Sequence, residues 1–433
     1  MKDLIANEKN NIHEKNLPMS TQAKSSALAS PGYLAPFIIV TTLFFIFGFI
    51  TTLNMALVPH LRSVFNLDYA WAMLAESAFF LAYFIFSSPS SKLIEWIGYK
   101  QTMVVSLFVQ MAGCLLFIPA AKLVNFPLFL AAVFIVGAGV TALQTSANPY
   151  VAILGPEHSA PVRLTLAQAF NSVGAFLAPL VGGAFILTKS PLLESKAAIA
   201  ATVRVPYLVI AAGLLVLGLA VAFMHLPHID HPQESQPSER GSAHTYSIWR
   251  YRHTVLGAVG IFVYVGVEVG LASIAVNYFK QEGMSSLKSA SYLVSLYWFG
   301  AMVGRLLGSW ALTRVKSGRL LGIFAFSGAV LLGISALTSG QVAIWTLVLC
   351  GFLNSVQFPN IFALGITGLG PLTSRGSGLM MTAIVGGAVI PYLLGALADT
   401  IGIQGSFILP MACYLYIAWY GLWGSKPIRR LTA

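Results

Sequence analysis

The sequence predicts an all-α integral membrane protein with twelve transmembrane helices in two six-helix halves, and three observations predict it. Of its 433 residues, 57% are hydrophobic and only 9% are charged, whereas soluble domains carry about a quarter charged residues. Long stretches, 31–59, 101–121 and 320–374, contain no Asp, Glu, Lys or Arg, and about 20 apolar residues suffice to cross a bilayer. The chain also repeats itself at an offset of 210–212 residues. LQTSANPYVAILG (143–155) matches LNSVQFPNIFALG (353–365), which sets Gln144 on Asn354, Pro149 on Pro359 and Gly155 on Gly365. Just beyond, Arg163 meets Arg375 and Pro179 meets Pro391. Two parallel six-helix repeats with a site between them account for this register.

Taken in order, residues 1–32 are polar, carry four Lys and lack the apolar core of a signal peptide. They read as a disordered cytoplasmic tail. Twelve apolar spans follow: 33–59, 70–89, 101–120, 126–154, 162–187, 203–224, 254–279, 289–311, 319–338, 341–366, 375–398 and 405–424. In hydrocarbon the backbone must satisfy its own hydrogen bonds, so each span is expected to be a helix. Residues 33–225 then form an N-terminal bundle and 253–425 a C-terminal bundle. The polar stretch 226–252 is the cytoplasmic linker between them, and 426–433 is a second cytoplasmic tail.

Net charge is +11, from 25 Lys and Arg against 14 Asp and Glu. A basic excess can mark a nucleic-acid partner, but that requires a solvated basic face. With both termini in the cytoplasm, 17 of the 25 cations fall inside and 7 outside, Arg305 standing within a helix. The excess therefore reports orientation in a membrane, with both termini inside, and no nucleic-acid partner is expected. Cys114, Cys350 and Cys413 are far apart in apolar runs and read as small buried hydrophobes.

Enzyme signatures are missing: the chain has no GxxxxGK[ST] loop, no zincin-type His pair and no nucleophile elbow. Hydrolysis of ATP is excluded, and neither an enzyme, a metal nor a cofactor is expected. His225, His228 and His231 lie three apart beside Asp230, but prolines interrupt the run, and a solvated linker explains it.

Ionisable groups inside spans are costly and mark function. Two acids qualify, Glu76 in span two and Glu268 in span seven. By a rise of 1.5 Å per residue, Glu268 lies roughly 20 Å deep, near the midplane, and Glu76 roughly 9 Å from the outer edge. Neutral amides accompany them: Asn54 in span one, Gln144 and Asn148 in span four, Gln168 and Asn171 in span five, Asn354 and Gln357 in span ten. Spacings of three and four residues put each pair on one helical face. Singly, such amides serve as bridges between helices. Several in both halves, with aromatic residues alongside, suit a neutral ligand rich in hydroxyls. Arg305, toward the inner end of span eight, is the one helix cation, so an anionic ligand is disfavoured.

At these residues the chain resembles the fucose–galactose–glucose:proton symporter family of the major facilitator superfamily, the glucose/galactose branch above all. The resemblance runs from about 33 to 425 and is strongest in GFITTLNMALVPHL (48–61), LQTSANPYVAILGPE (143–157), RLTLAQAFNSVGA (163–175) and GIFVYVGVEVG (260–270). QFPNIFALGITGLG (357–370) and SGLMMTAIVGGAVIPYLLGALAD (377–399) extend it. SKLIEWIGYK (91–100) has the spacing of the facilitator signature GxLaDrxGrk, with Glu95 in place of its Asp. The resemblance implies the major facilitator fold and a monomeric inner-membrane symporter moving a monosaccharide with a proton. Asn54, Gln144, Gln168, Asn171 and Glu268 would face the sugar, joined by Asn354 and Gln357, and Glu95 with Lys100 would latch the cytoplasmic side.

Two departures bear on coupling. The family's helix-one Asp after Asn is Met55 here, and the fucose branch's Glu in helix four is Gln144. Glu76 stands where relatives usually carry Gln. The acid is expected to have moved from helix one to helix two, leaving Glu76 as proton carrier and Glu268 as sugar acceptor with a second claim on coupling. An uncoupled sugar facilitator is the alternative. A drug:proton antiporter, hinted at by APLVGG (178–183), is a weaker one. N-acetylglucosamine and L-fucose satisfy the same amide chemistry as glucose and galactose.

Overall fold

The computed structural model describes residues 34–65, 69–181, 198, 201–224, 247–283 and 287–427, with side chains omitted at 34–35, 54–64, 69–77, 179–181 and 287–291. The expected tail 1–32, most of the linker 226–252 with its histidine run, and residues 428–433 lie outside these.

Helices make up nearly all of the described residues, and no strand occurs among them. We number them α1 (Leu34–Phe65), α2 (Tyr69–Leu123), α3 (Phe126–Ile153), α4 (Ala160–Val181), α5 (Arg204–Phe223), α6 (Arg252–Gln281) and α7 (Leu287–Ala311). Then come α8 (Ser317–Leu337), α9 (Gly340–Asn354), α10 (Gln357–Ile366), α11 (Thr373–Thr382), α12 (Gly386–Ser406) and α13 (Ile408–Trp419). Over their described residues the expected spans fall mainly on helix. Spans two and three both lie in α2, divided where Gly98 takes φ 79° and ψ 170°, a conformation that costs glycine little. Span ten is interrupted between Asn354 and Gln357, where α9 gives way to α10. Span eleven passes through α11, a short 3₁₀ turn (Ala383–Val385) and α12, and a second positive-φ glycine, Gly402, bends the chain toward span twelve.

Glycines set the packing within each half. An added Cβ on Gly48 of α1 would lie 2.2 Å from the Asn171 carbonyl oxygen of α4, and one on Gly174 of α4 would lie 2.2 Å from the Phe45 carbonyl oxygen of α1. The second half repeats this arrangement. A Cβ on Gly386 of α12 would meet the Phe262 carbonyl oxygen of α6 at 2.0 Å, and one on Gly266 of α6 would meet Ile390 at 2.3 Å. Small residues permit such close helix contact in a membrane, where no hydrophobic force draws helices together. The outer surface is apolar in turn, with Leu81, Phe84, Leu208, Val216, Ile323 and Leu393 exposed. Cys114, Cys350 and Cys413 are free and buried, as expected.

Candidate functional site: a central cavity closed at one end

A cavity of about 430 Å³ lies between the halves. The N-terminal half lines it with Phe47, Gly48, Thr51 and Thr52 from α1, Phe79, Phe80 and Tyr83 from α2, Gln144 from α3, and Gln168, Asn171, Ser172 and Phe176 from α4. The C-terminal half contributes Val265, Glu268 and Val269 from α6, Val294, Ser295, Trp298 and Arg305 from α7, and Phe358 and Ile384. Aromatic rings form much of the wall.

Of the expected site residues, Gln144, Gln168, Asn171 and Glu268 meet here. The Gln144 amide donates to the Tyr83 hydroxyl, and Asn171 Nδ2 donates to the Phe44 carbonyl at 3.3 Å. These bonds hold the amides by one group each and leave further donor and acceptor capacity. Asn54 and Glu76 lie on helical backbone whose side chains are outside the described ones.

Asn354 and Gln357 are placed elsewhere. Both are fully buried inside the C-terminal half and line no part of the cavity. Asn354 donates to the Tyr297 hydroxyl at 2.6 Å and accepts from Tyr414 at 2.7 Å, while Gln357 donates to its Oδ1 at 3.2 Å. The physical reason is the break after α9: Asn354 sits at the last turn, and two tyrosines satisfy it inside the bundle.

Sequence reasoning missed Arg305, which was placed by its backbone near the inner end of a helix. A helical Cα–Cβ bond leans toward the helix N-terminus. Because α7 descends and α6 ascends, Arg305 leans up and Glu268 leans down, so the two converge. Arg305 Nη2 stands 3.6 Å from Glu268 Oε1, with side chains 9% and 14% exposed. That oxygen is buried and has no hydrogen-bond partner. Arg305 Nη1 donates to the Ser172 hydroxyl in the opposite half, and Nε donates to the Ser355 carbonyl at 3.3 Å. Tyr264 donates to the Asn354 carbonyl at 3.1 Å and also reaches the Glu268 carboxylate. Ser172 was missed as well, although a signal existed: Gln168, Asn171, Ser172, Ala175 and Phe176 follow the spacing of one helical face.

Beneath the cavity, bonds between the halves close one end. Arg375 Nε donates to Glu95 Oε1 at 2.8 Å, joined by the Ser374 hydroxyl at 3.3 Å. The Gly368 amide donates to Glu157 Oε1 at 2.9 Å, and the Ser377 hydroxyl to the Thr145 carbonyl at 2.7 Å. Lys100 stays within its own half, donating to the Ala222 carbonyl at 2.8 Å.

A family model described as Major Facilitator Superfamily matches residues 39–390. The "Glucose/galactose transporter" of Brucella abortus is 47% identical over 391 residues, covering 89% of this chain and 93% of that protein. The chain belongs to the fucose–galactose–glucose:proton symporter family of the major facilitator superfamily. The "L-fucose-proton symporter" of Escherichia coli is 33% identical over 410 residues, which cover 90% of this chain and 92% of that one. A solved structure described as the transporter FucP in the outward conformation aligns with a TM-score of 0.80 at 31% identity, over 90% of this chain and 98% of that chain. The expected fold is therefore observed, in a multi-pass membrane protein that is a transporter rather than an enzyme.

Proposed function

We propose that the protein imports a neutral monosaccharide of the glucose or galactose type by proton symport, alternating access between two six-helix halves, 33–225 and 253–425, joined by the linker 226–252. The observation that carries this reading is the cavity. Amides of one half face a carboxylate oxygen without a hydrogen-bond partner in the other, between aromatic walls. Sugar hydroxyls are both donors and acceptors, and their ring faces are apolar, so this lining complements them. The glucose/galactose and fucose relatives support the same substrate class. Gln144, Gln168 and Asn171 are assigned to the sugar, and Asn54 is assigned with them from the family resemblance alone. Glu268 accepts a sugar hydroxyl. Asn354 and Gln357, enclosed behind the site, brace Tyr264, Tyr297 and Tyr414.

An inner-membrane location is part of this reading, and the bias of Lys and Arg supports both termini being cytoplasmic. The end bonded by Glu95 and Arg375 is then the cytoplasmic gate, and the state is outward-facing. The protein is read as a monomer in lipid, its exposed Leu, Val, Ile and Phe side chains suiting contact with acyl chains. Two acids are available for the proton, Glu76 first by its depth near the replaced helix-one Asp, and Glu268 second.

Met55 and Gln144 stand in place of family carboxylates, an observation that favours a second reading, an uncoupled facilitator. Uptake of radiolabelled glucose into proteoliposomes, with and without an inward proton gradient and against unlabelled galactose, mannose, fucose and N-acetylglucosamine, separates the two. Accumulation above the external concentration only with the gradient supports symport; equilibration at the same level in both conditions sinks it.

A further inference from the structure

Asn148, an amide of span four, has no part in the cavity or in the packing described so far. It stands one turn inward from Gln144 on the same face of α3, roughly 6 Å beneath it, and is fully buried. Its Nδ2 has the Met381 sulfur at 3.7 Å, and a thioether is a weak acceptor. Its Oδ1 is buried with no hydrogen-bond partner among the described residues. A leucine would fill this place and leave no hydrogen bond unmade, so the amide needs a partner that reaches it in another state. What covers it shows which state that is. Met381 belongs to α11 of the opposite half, one turn inward from Ile384, which lines the cavity. Around it the halves meet through small neutral groups. The Ser377 hydroxyl donates to the Thr145 carbonyl at 2.7 Å, and a Cβ on Gly378 would stand 2.8 Å from Ser91 Oγ of α2. The ion pair of Glu95 and Arg375 lies farther along the same helices, toward the closed end.

We propose that Asn148 forms a second sugar subsite, covered while this end is closed and taking up the hydroxyls of a neutral sugar on its way out once the end opens. The proposal rests on the sugar reading of the cavity. When the halves part here, Met381 leaves the amide, and Ser377 loses the Thr145 carbonyl. Asn148 then presents an acceptor and a donor side by side, and the freed Ser377 hydroxyl faces it from the other wall. Two adjacent hydroxyls match one carboxamide, the first donating to Oδ1 and the second accepting from Nδ2. The ligand class is therefore a neutral polyhydroxylated molecule rather than an ion. Gln144 and Asn148, one turn apart, make two steps of one path. The first amide is open to the cavity in the closed-end state, and the second becomes available only after the layer has parted. A subsite present in one state adds affinity in that state alone, so Asn148 acts on sugar at the inner face and leaves binding from the outer face unchanged.

Cysteines at two depths of the closed end test this in the purified full-length protein, where native Cys114, Cys350 and Cys413 are buried. Met381→Cys faces Asn148, and Ser374→Cys lies two turns nearer the closed end. Both positions are fully buried and react with a maleimide as that end opens. D-Glucose or D-galactose that only shifts the protein toward the closed-end state slows both reactions by the same factor. Sugar seated on Asn148 slows Met381→Cys several-fold more than Ser374→Cys, and adding Asn148→Leu removes that excess. Equal slowing at the two cysteines with Asn148 intact, or an excess that persists in Asn148→Leu, overturns the subsite. Should Asn148→Leu fail to fold, the two cysteines with Asn148 intact decide the matter alone. No slowing at either cysteine, together with no saturable binding of either sugar to the wild type, overturns the sugar reading itself.

Discussion

Arg163 and Arg375 occupy matching places in the two repeats and do opposite work. Arg163 is wholly buried and turns back on its own half, donating to the carbonyls of Val151 (3.0 Å), Gly155 (3.2 Å) and Pro156 (3.1 Å), to that of Ala152, and to the Ser159 hydroxyl. It seals the end of α3. Arg375 is half exposed and reaches across to Glu95 in the other half. One arginine satisfies a helix terminus within its own half; the other makes a bond that, under the proposed alternating access, would exist only while the gate is shut. The cavity divides in the same way. The N-terminal half offers neutral amides, Gln144 and Asn171, and the C-terminal half encloses its matching amide Asn354 and offers a charged pair instead. Among the described lining residues the duplicated bundle has thus kept its packing and separated its chemistry, neutral amides on one side and a charged pair on the other.

The sharpest way to break this comparison is to remove both arginines in turn. Arg163→Ala leaves four carbonyls in a dry helix end, and each unsatisfied buried group costs about 1–3 kcal/mol. Loss of the folded protein is expected, read as absence of a monodisperse peak in detergent size-exclusion chromatography. Arg163→Lys should not rescue it, because an ammonium cannot reproduce the planar, multidentate donor set. Arg375→Ala should run at the wild-type position. A folded Arg163→Ala protein of unchanged thermal stability would remove the distinction.

The matching amides give the next contrast. Asn354→Leu strips Tyr297 and Tyr414 of their buried partner and should cost about 2–4 kcal/mol of stability, as for a broken buried network. Gln144→Leu removes a group at the cavity surface. It should leave thermal stability within about 1 kcal/mol and weaken sugar binding about tenfold or more, near 1.4 kcal/mol or above. If Asn354→Leu instead lowers affinity at unchanged stability, the enclosed amide belongs to the site after all.

How much of this was legible follows from what a linear pattern carries. Spans, their number and the repeat were readable because hydrocarbon demands long apolar helices, and registered Pro, Gly and Arg survive as markers. Gln144, Gln168, Asn171 and Glu268 were readable as polar groups that a membrane does not tolerate without a purpose. Whether a polar group faces the cavity or a neighbouring helix was not, since Gln144 and Asn354 look alike in register. Their difference lies in Tyr83 against Tyr297 and Tyr414, which only tertiary packing brings to them. Arg305 was misjudged because depth was counted at the backbone, whereas a long side chain carries its charge up the helix. The latch was half legible: Glu95 was singled out, but its partner is Arg375, 280 residues away, and the nearer Lys100 bonds elsewhere.

The smallest expected effect belongs to that latch. An exposed ion pair contributes about 0–1 kcal/mol, so Arg375→Ala should scarcely change unfolding. Under the proposed alternating access its free energy acts between two folded states, however, the pair being present in one and absent in the other. About 1 kcal/mol there shifts their ratio roughly fivefold. Thr145→Cys reports this shift, since Thr145 is buried beneath Ser377 at the closed end and becomes reachable only when that end opens. Native Cys114, Cys350 and Cys413 are buried and give little background. Labelling of Thr145→Cys should rise several-fold on adding Arg375→Ala or Glu95→Gln, and raised salt should reproduce part of the rise in the Thr145→Cys protein with its gate intact, because screening reaches about 3 Å at 1 M. The exchanged pair Glu95→Arg with Arg375→Glu should return labelling toward the starting level. If the exchange fails while both single changes open the gate, the bond from Gly368 to Glu157 and the Ser374 hydroxyl hold the halves together, and Arg375 acts through its local backbone rather than its charge.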